Sequence, residues 1–167
     1  MLTRIQSWPR QRLAERVTAA SYGTVLVLAA LAVIESDDVA SGLGWELVTG
    51  VGVATWVAHL HAEVVGDHLR HTAVLDRKEI TRAMADGFPI LLATVLPAVM
   101  LLLGRLDVLD HRVAVWASVA VAVLQLAGVG CFVGFAVSAH SSRAWLFTAV
   151  TAAFGVTVVA LKVVLSH

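Results

Sequence analysis

Cysteine is nearly absent from this chain of 167 residues, and charged residues are scarce. Cys131 is the single cysteine, so the chain cannot form an internal disulfide and has no cysteine pair to hold zinc. Charged residues make up 14% of the sequence, against roughly 25% in soluble domains. The 12 basic and 12 acidic residues cancel, so the chain has no net charge that would attract it to nucleic acid or to anionic surfaces. We therefore expect no nucleic-acid partner.

Motifs for catalysis and for cofactor binding are also missing. The sequence has no HExxH zinc motif, no nucleophile elbow and no glycine-rich phosphate loop. Gly42 and Gly44 form an isolated pair, and the serines beside His140 are typical of a turn and a helix cap. The sequence accordingly predicts no enzyme activity, no catalytic residues, no metal and no cofactor.

Long aliphatic runs dominate what is present. Hydrophobic residues make up 59% of the chain and the mean hydropathy is +0.84, above the roughly 45–50% apolar content of soluble domains. After a basic N-terminal segment, 1–16, the sequence predicts a single domain, 17–167. We expect an all-α, polytopic membrane helix bundle with five transmembrane helices. The predicted spans are 17–34, 47–65, 88–103, 113–138 and 145–165. Four spans would require removal of the first run or a merger of two others.

The basic residues indicate the orientation of the bundle. Segments 1–16, 67–87 and 140–143 lie on one side of the predicted topology and hold nine of the twelve basic residues. Because cytoplasmic loops are enriched in lysine and arginine, this distribution predicts the N-terminus inside and the C-terminus outside. Lys162, in the last span, is expected to reach the outer surface by extending its side chain.

Two connections between spans carry their own predictions. Residues 35–46 are acidic and contain glycine, which favours an outer loop. In the longest connection, 67–87, Asp76 is followed three residues later by Glu79, which is typical of a helix start. Apolar residues recur there at helical spacing, so we expect a short amphipathic helix on the cytoplasmic membrane surface. A solvated helical hairpin is the alternative.

A row of ionisable residues leaves the second predicted span, in the sequence WVAHLHAEVVGDHLRH from residue 56. His59 and Glu63 are four residues apart, so their side chains can meet on one helix face. The same face carries small and polar residues, which are typical of a surface that packs against other helices. We take as the candidate intramembrane polar site Thr55, Trp56, His59, Glu63, Asp67 and Gln125.

Three interpretations of this row remain open. In the first, His59 and Glu63 form a structural polar clamp. In the second, Thr55, His59, Glu63 and Asp67 line a cytoplasmic half-channel for protons or cations, joined by Gln125. The third is a metal site on the inner side, although His59 and His61 face opposite ways. Its ligands would come from His59, His61, Glu63, Asp67, His68, His71 and His140.

Glycine spacing in the fourth span suggests close helix packing. Gly130 and Gly134 are four residues apart and form a flat groove. We expect the lipid bilayer as a partner, together with a second copy or another membrane protein at this groove. The leading functional hypothesis is a small structural or accessory membrane protein. The alternative is a proton- or cation-handling protein, a small transporter or channel that uses His59 and Glu63.

Several segments resemble an uncharacterised family of small multi-spanning integral membrane proteins of actinobacteria. They are SYGTVLVLAALA, WVAHLHAE, AVWASVAVAVLQLAG and ALKVVL, and the resemblance covers most of the chain. Its most specific part is a Trp-x-Ala-His-x-x-Ala pattern, formed here by Trp56, Ala58, His59 and Ala62. The resemblance implies a multi-pass protein of the bacterial cytoplasmic (inner) membrane and no particular activity. An aromatic residue is expected where His61 stands, which argues against His61 as an essential ligand.

Overall fold

The described part of the chain is almost entirely helical. The computed structural model describes residues 7–70, 77–137, 149, 150, 153, 155, 157, 160 and 162–164. Within this part there is no strand, which confirms the all-α prediction. The helices are α1 (Ser7–Ala32), α2 (Ser36–Ser41), α3 (Leu43–Arg70), α4 (Arg77–Arg105) and α5 (His111–Val137). The described residues from 149 onward are also helical.

Helices α1 and α4 form the centre of the bundle. Each packs against the other and against both α3 and α5, whereas α3 and α5 do not touch each other in the described structure. Arg16 of α1 pairs with Asp86 near the start of α4, and Leu31 and Leu101 lie in the same buried cluster near the ends of these helices. The two central helices are therefore parallel.

The flanking helices run in the opposite direction to α4. In α3, Glu46 pairs with Arg105 at one end of α4, and the Trp56 ring donates to a carbonyl near the other end. In α5, Ser118 lies beside Pro97, while Ala114 packs against the end of α4. Direction thus alternates among the long helices along the chain, which is the order expected for consecutive spans.

The core is aliphatic and tightly packed where the long helices meet. Gly104 of α4 is one point of close approach, because a Cβ atom there would lie 2.5 Å from the Cβ of Ala114 and 2.7 Å from a methyl carbon of Val39. Such distances are well below van der Waals contact, so only glycine fits between α2, α4 and α5. The buried cluster includes Val27, Leu28, Leu31, Ile34, Val39, Val48, Leu101, Val115, Val119 and Leu126.

At two places the helices extend beyond the predicted apolar runs. The connection 67–87 was expected to hold a separate amphipathic helix, but its second half is continuous with the third predicted span in α4. Helix α4 passes through Pro89 and Pro97 without ending. Packing against α1 and α3 on either side of Pro89 holds this region helical despite the missing N–H group. Likewise, α1 begins at Ser7, inside the predicted N-terminal segment 1–16.

The predicted outer loop, 35–46, contains helix α2 and the start of α3. The backbone N–H of Glu35 donates to Asp38 Oδ2 at 2.8 Å, which satisfies a group at the start of α2. Gly42 ends α2 with a φ of 87°, a left-handed conformation that favours glycine. Val39 projects into the core. The loop prediction is wrong because Val39 and Trp45 pack against the core and hold this charged segment on the bundle.

Two of the described helices are long and apolar enough to cross a membrane. They are Ile80–Arg105 and His111–Gly134, with mean hydropathies of 2.2 and 2.0. Helix α1 falls short because its apolar part begins only at Val17. In α3, the histidines and Glu63 interrupt the apolar run. Most of the predicted span 145–165 lies outside the described residues.

Candidate functional site

The polar face of α3 packs against α4, as its helical periodicity predicts. Thr55 is buried, and its hydroxyl donates to the backbone oxygen of Val51 at 2.7 Å. One turn earlier, Gly52 lies directly against the side chain of Thr94. Threonine hydroxyls that bond within their own helix carry no unsatisfied polar group into the interface. This part of the face is therefore a packing surface in which polar groups are internally satisfied.

Trp56 and His59 frame a second close approach, at Gly87 of α4. A Cβ atom on Gly87 would lie 3.0 Å from Cδ2 of His59 and 3.2 Å from Cδ1 of Trp56. The indole Nε1 of Trp56 donates to the backbone oxygen of Met84 at 3.4 Å. Because residue 87 is glycine, the α4 backbone comes close to both rings. The two side chains therefore pack against α4.

His59 and Glu63 form the ionisable part of the site. Nε2 of His59 lies 3.7 Å from Oε1 of Glu63, and their side chains are 24% and 34% exposed. This separation is longer than a direct hydrogen bond but short enough for an ion pair or a bridging water molecule. The pair lies at the edge of the α3–α4 interface, where both side chains are partly exposed.

Gln125 does not belong to this site, and its predicted place in a half-channel with His59 is wrong. It lies on α5, in a groove formed by α1, α4 and α5. No residue of α3 contributes to that groove, because the α1–α4 pair lies between α3 and α5. Asp67 belongs to α3, but its side chain lies outside the described part of the structure.

The proposed metal ligands do not converge among the described residues. In that part of the chain, no group of three or more His, Cys, Asp or Glu side chains is close enough to hold a metal ion. His61 is exposed, and His59 faces α4. The side chain of His68, together with His71 and His140, lies outside the described residues.

Lys162 carries a role that the sequence did not predict. It was expected to extend toward the surface, but its side chain turns inward and the residue is only 7% exposed. Its Nζ donates to the backbone oxygens of Leu31 and Ile34, both at 2.7 Å, and lies 3.4 Å from that of Ala32. Leu31 and Ala32 are the last residues of α1 and Ile34 follows it, at the end of the helix where carbonyls lack partners and the dipole is negative. The ammonium therefore caps α1 from the far end of the chain.

An open pocket of about 650 Å³ adjoins this cap. Its wall carries charges of both signs, from Glu35, Asp37 and Arg112, and the exposed ring of Trp116. Lys162 borders the pocket, but its three protons are directed at the carbonyls of α1. The pocket thus lies at the predicted outer end of the bundle, opposite to the His59–Glu63 pair.

The glycine pair on α5 is buried within the single chain. Gly130 and Gly134 both have little exposed surface. These residues serve packing inside the bundle, whereas Gly128 nearby has no atom within 4 Å of the position a Cβ would take. The groove predicted for a second copy is therefore covered by the chain itself.

Comparison with known proteins adds no family. No protein-family model matches the chain, and neither a curated protein nor a solved structure does.

Proposed function

We propose that this chain is a multi-pass integral membrane protein with a structural or accessory role. The observation that carries the proposal is the outward-facing apolar surface of α4 and α5. Only 39% of the residues in the most apolar part of each helix are buried inside the protein. A helix this apolar in the core of a soluble protein would be mostly covered, whereas a lipid-facing helix leaves its outer side bare.

Individual side chains show how much apolar surface is left uncovered. On α4, Leu92 and Leu96 are half exposed, and on α5, Leu124 and Phe132 are exposed by half or more. Soluble monomers rarely expose contiguous apolar patches larger than a few hundred Å². The lipid bilayer is the solvent that stabilises such a surface, and it is the first partner we propose.

Helices α1 and α3 and the final helical segment are proposed to cross the bilayer with α4 and α5, giving five spans. Helices α1 and α3 contact α4 at levels that cover most of its length, from the Arg16–Asp86 pair to the Glu46–Arg105 pair. A slab of lipid around α4 therefore surrounds them as well. Lys162 brings the final helical segment to the outer end of α1. The N-terminus lies inside and the C-terminus outside, in a bacterial inner membrane.

The polar face of α3 supports the structural or accessory role. Thr55 is satisfied within its own helix, and Trp56 and His59 pack on Gly87. Such a face fixes the register of α3 on α4, which is how polar residues serve membrane bundles. A second copy or another membrane protein is proposed to bind the exposed lipid-facing helices, since the Gly130–Gly134 groove is already covered.

Proton or cation handling is the second candidate, and the His59–Glu63 pair favours it. Two ionisable groups 3.7 Å apart within an apolar helix can relay a proton. Beyond them toward the outer side, Gly52 and Thr94 close the α3–α4 interface. A proton passed along the His59–Glu63 pair would therefore reach a closely packed part of the α3–α4 interface. For this reason transport is the lesser candidate.

Thiol labelling tests the membrane crossing of α4. In a Cys131→Ser background, Val108→Cys and Arg77→Cys each place one thiol at an exposed position near opposite ends of α4. In intact bacterial cells, a membrane-impermeant maleimide is expected to label Val108→Cys. It should label Arg77→Cys only after lysis, because that end faces the cytoplasm.

Labelling of both variants after lysis is the control, because it shows that each thiol can react with the reagent. Equal labelling of the two positions in intact cells would place both ends of α4 on one side and overturn the crossing. Recovery of the unlabelled protein in the soluble fraction after cell lysis would overturn the membrane proposal as a whole.

Substitution of His59 or Glu63 distinguishes the structural role from proton or cation transport. For His59→Gln and Glu63→Gln, we expect no change in proton or cation flux into vesicles, which should be absent from the wild type too. Stability in detergent should fall by roughly 1 kcal/mol or less, because a partly exposed pair contributes little. Flux that is present in wild type and lost in both variants would replace the structural role by transport.

A further inference from the structure

The open pocket at the outer end of the bundle is formed by three separate parts of the chain. One side comes from the end of α1 and the turn into α2, another from the start of α5, and Lys162 borders it. Its volume of about 650 Å³ lies within the range of small-molecule sites. At roughly 30 Å³ per water-sized group, it holds on the order of twenty non-hydrogen atoms. A lipid headgroup, with about a dozen, fits within it.

Opposite charges line this pocket without pairing with each other. The carboxylates belong to Glu35 and Asp37 at the start of α2, and Arg112 on α5 supplies a guanidinium. Within the described structure, no ion pair joins Arg112 to either carboxylate. Glu35 also takes part in the capping box of α2, but a carboxylate has about four acceptor positions. All three charged groups therefore remain available to a ligand.

The balance of these charges favours one class of ligand. Two carboxylates and two cations line the pocket, the second cation being Lys162, so the pocket has no net charge. An anion attracted by Arg112 would be repelled by Glu35 and Asp37, and a simple cation would meet the reverse. A zwitterion can place each of its charges beside a group of the opposite sign.

The surroundings of the pocket favour a lipid over a soluble zwitterion. Trp116 lies in the second turn of α5, a helix apolar enough to cross a membrane, and is 44% exposed. Tryptophan at the end of such a helix is typical of the level at which lipid headgroups lie. Val33 also lines the pocket and is 60% exposed. The charged wall is thus continuous with an apolar side chain on which an acyl chain can pack.

We propose that this pocket binds the headgroup of a zwitterionic phospholipid, with its phosphate at Arg112 and its ammonium at Glu35 and Asp37. A guanidinium binds phosphate oxygens through parallel N–H groups, and the exposed ring of Trp116 attracts an ammonium. The proposal rests on the membrane location, because the headgroup must lie at the level of Trp116.

Two lipids with the same acyl chains test this, phosphatidylethanolamine and phosphatidylglycerol, of which only the first carries an ammonium. Native mass spectrometry of the full chain in detergent measures the affinity of each. For the wild type we expect phosphatidylethanolamine to bind about three- to tenfold more tightly, as for partly exposed charged groups. In Glu35→Gln/Asp37→Asn the preference should vanish. Arg112→Gln should weaken both lipids by a similar factor, because both carry a phosphate.

Asp107→Asn is the matched control. It removes an exposed carboxylate at the same end of the bundle that does not line the pocket, so the preference for phosphatidylethanolamine should persist.

Equal affinities of the two lipids for the wild type, or a preference that survives in Glu35→Gln/Asp37→Asn, would overturn the proposal. So would glycerophosphoethanolamine, which has no acyl chains, if it competed as well as the intact lipid, since the ligand would then be a soluble zwitterion. Each of these results with the protein in the membrane fraction leaves the membrane assignment intact. A protein found in the soluble fraction would instead contradict the proposed function.

Discussion

Replacement of Lys162 by methionine is expected to lower the free energy of unfolding by about 3 kcal/mol, since hydrogen bonds to a charged group contribute roughly 1.5–3 kcal/mol. The ammonium donates to carbonyls in and just after the last turn of α1, with contacts of 2.7 Å to Leu31 and Ile34. Both of those residues are fully buried. Methionine keeps the length and apolar stem of lysine but removes the donor, so the carbonyls of Leu31 and Ile34 each lose a hydrogen bond of 2.7 Å. Leu31 keeps only the longer bond of 3.4 Å from the backbone N–H of Ile34. Chemical unfolding in detergent measures the change.

Arg112→Met is the matched control for that experiment. Arg112 is an exposed cation bordering the same pocket, so its loss removes one positive charge from the region without opening a buried cap. Its effect should stay within about 1 kcal/mol, as for other exposed charges. Equal losses for the two variants would mean that Lys162 acts only through its charge, and would contradict the capping role.

Local pattern was enough to predict the class of fold and one interface. The long apolar runs predict helices, and the alternation of α1, α3, α4 and α5 follows from short connections between them. The periodicity of α3 correctly placed Thr55, Trp56 and His59 toward a neighbouring helix. These features depend on residues within a few turns of each other, which a sequence displays directly.

The sequence does not show which residues far apart in the chain contact each other. Lys162 and Leu31 are far apart along the chain, and an isolated lysine near the end of an apolar run is equally typical of a snorkelling residue. Gln125 was grouped with His59 because both are polar in apolar surroundings. They are separated because the α1–α4 pair lies between their helices. Local sequence patterns do not show this arrangement. The continuity of α4 through Pro89 is likewise not visible in the local sequence.

The second large effect is expected where α3 and α4 approach most closely. Gly52→Ala should destabilise the protein by about 1–3 kcal/mol, the usual cost of an added methyl group in a packed interface. The new Cβ would meet the side chain of Thr94, 2.6 Å from Cγ2 and 2.8 Å from Cβ. Rotation of Thr94 cannot relieve the contact with its Cβ, because that atom is fixed to the α4 backbone. The helices must therefore move apart.

Gly50→Ala is the matched substitution, two residues earlier in the same helix. No atom lies within 4 Å of the position of its Cβ, so this variant should gain about 0.5–1 kcal/mol from the lower backbone entropy of alanine. Opposite signs for the two variants in one unfolding assay would assign the difference to contact with α4, since helix propensity is common to both.

A double-mutant cycle identifies Thr94 as the group that Gly52 must avoid. In a Thr94→Gly background, Gly52→Ala should lose its penalty and become neutral or stabilising, because the clashing atoms are gone. The interaction energy between the two sites should then be at least about 1 kcal/mol, above the roughly 0.5 kcal/mol scatter of independent sites. A penalty for Gly52→Ala that persists without the Thr94 side chain would show that α3 meets some other group there, and that the α3–α4 interface around the polar site is arranged differently.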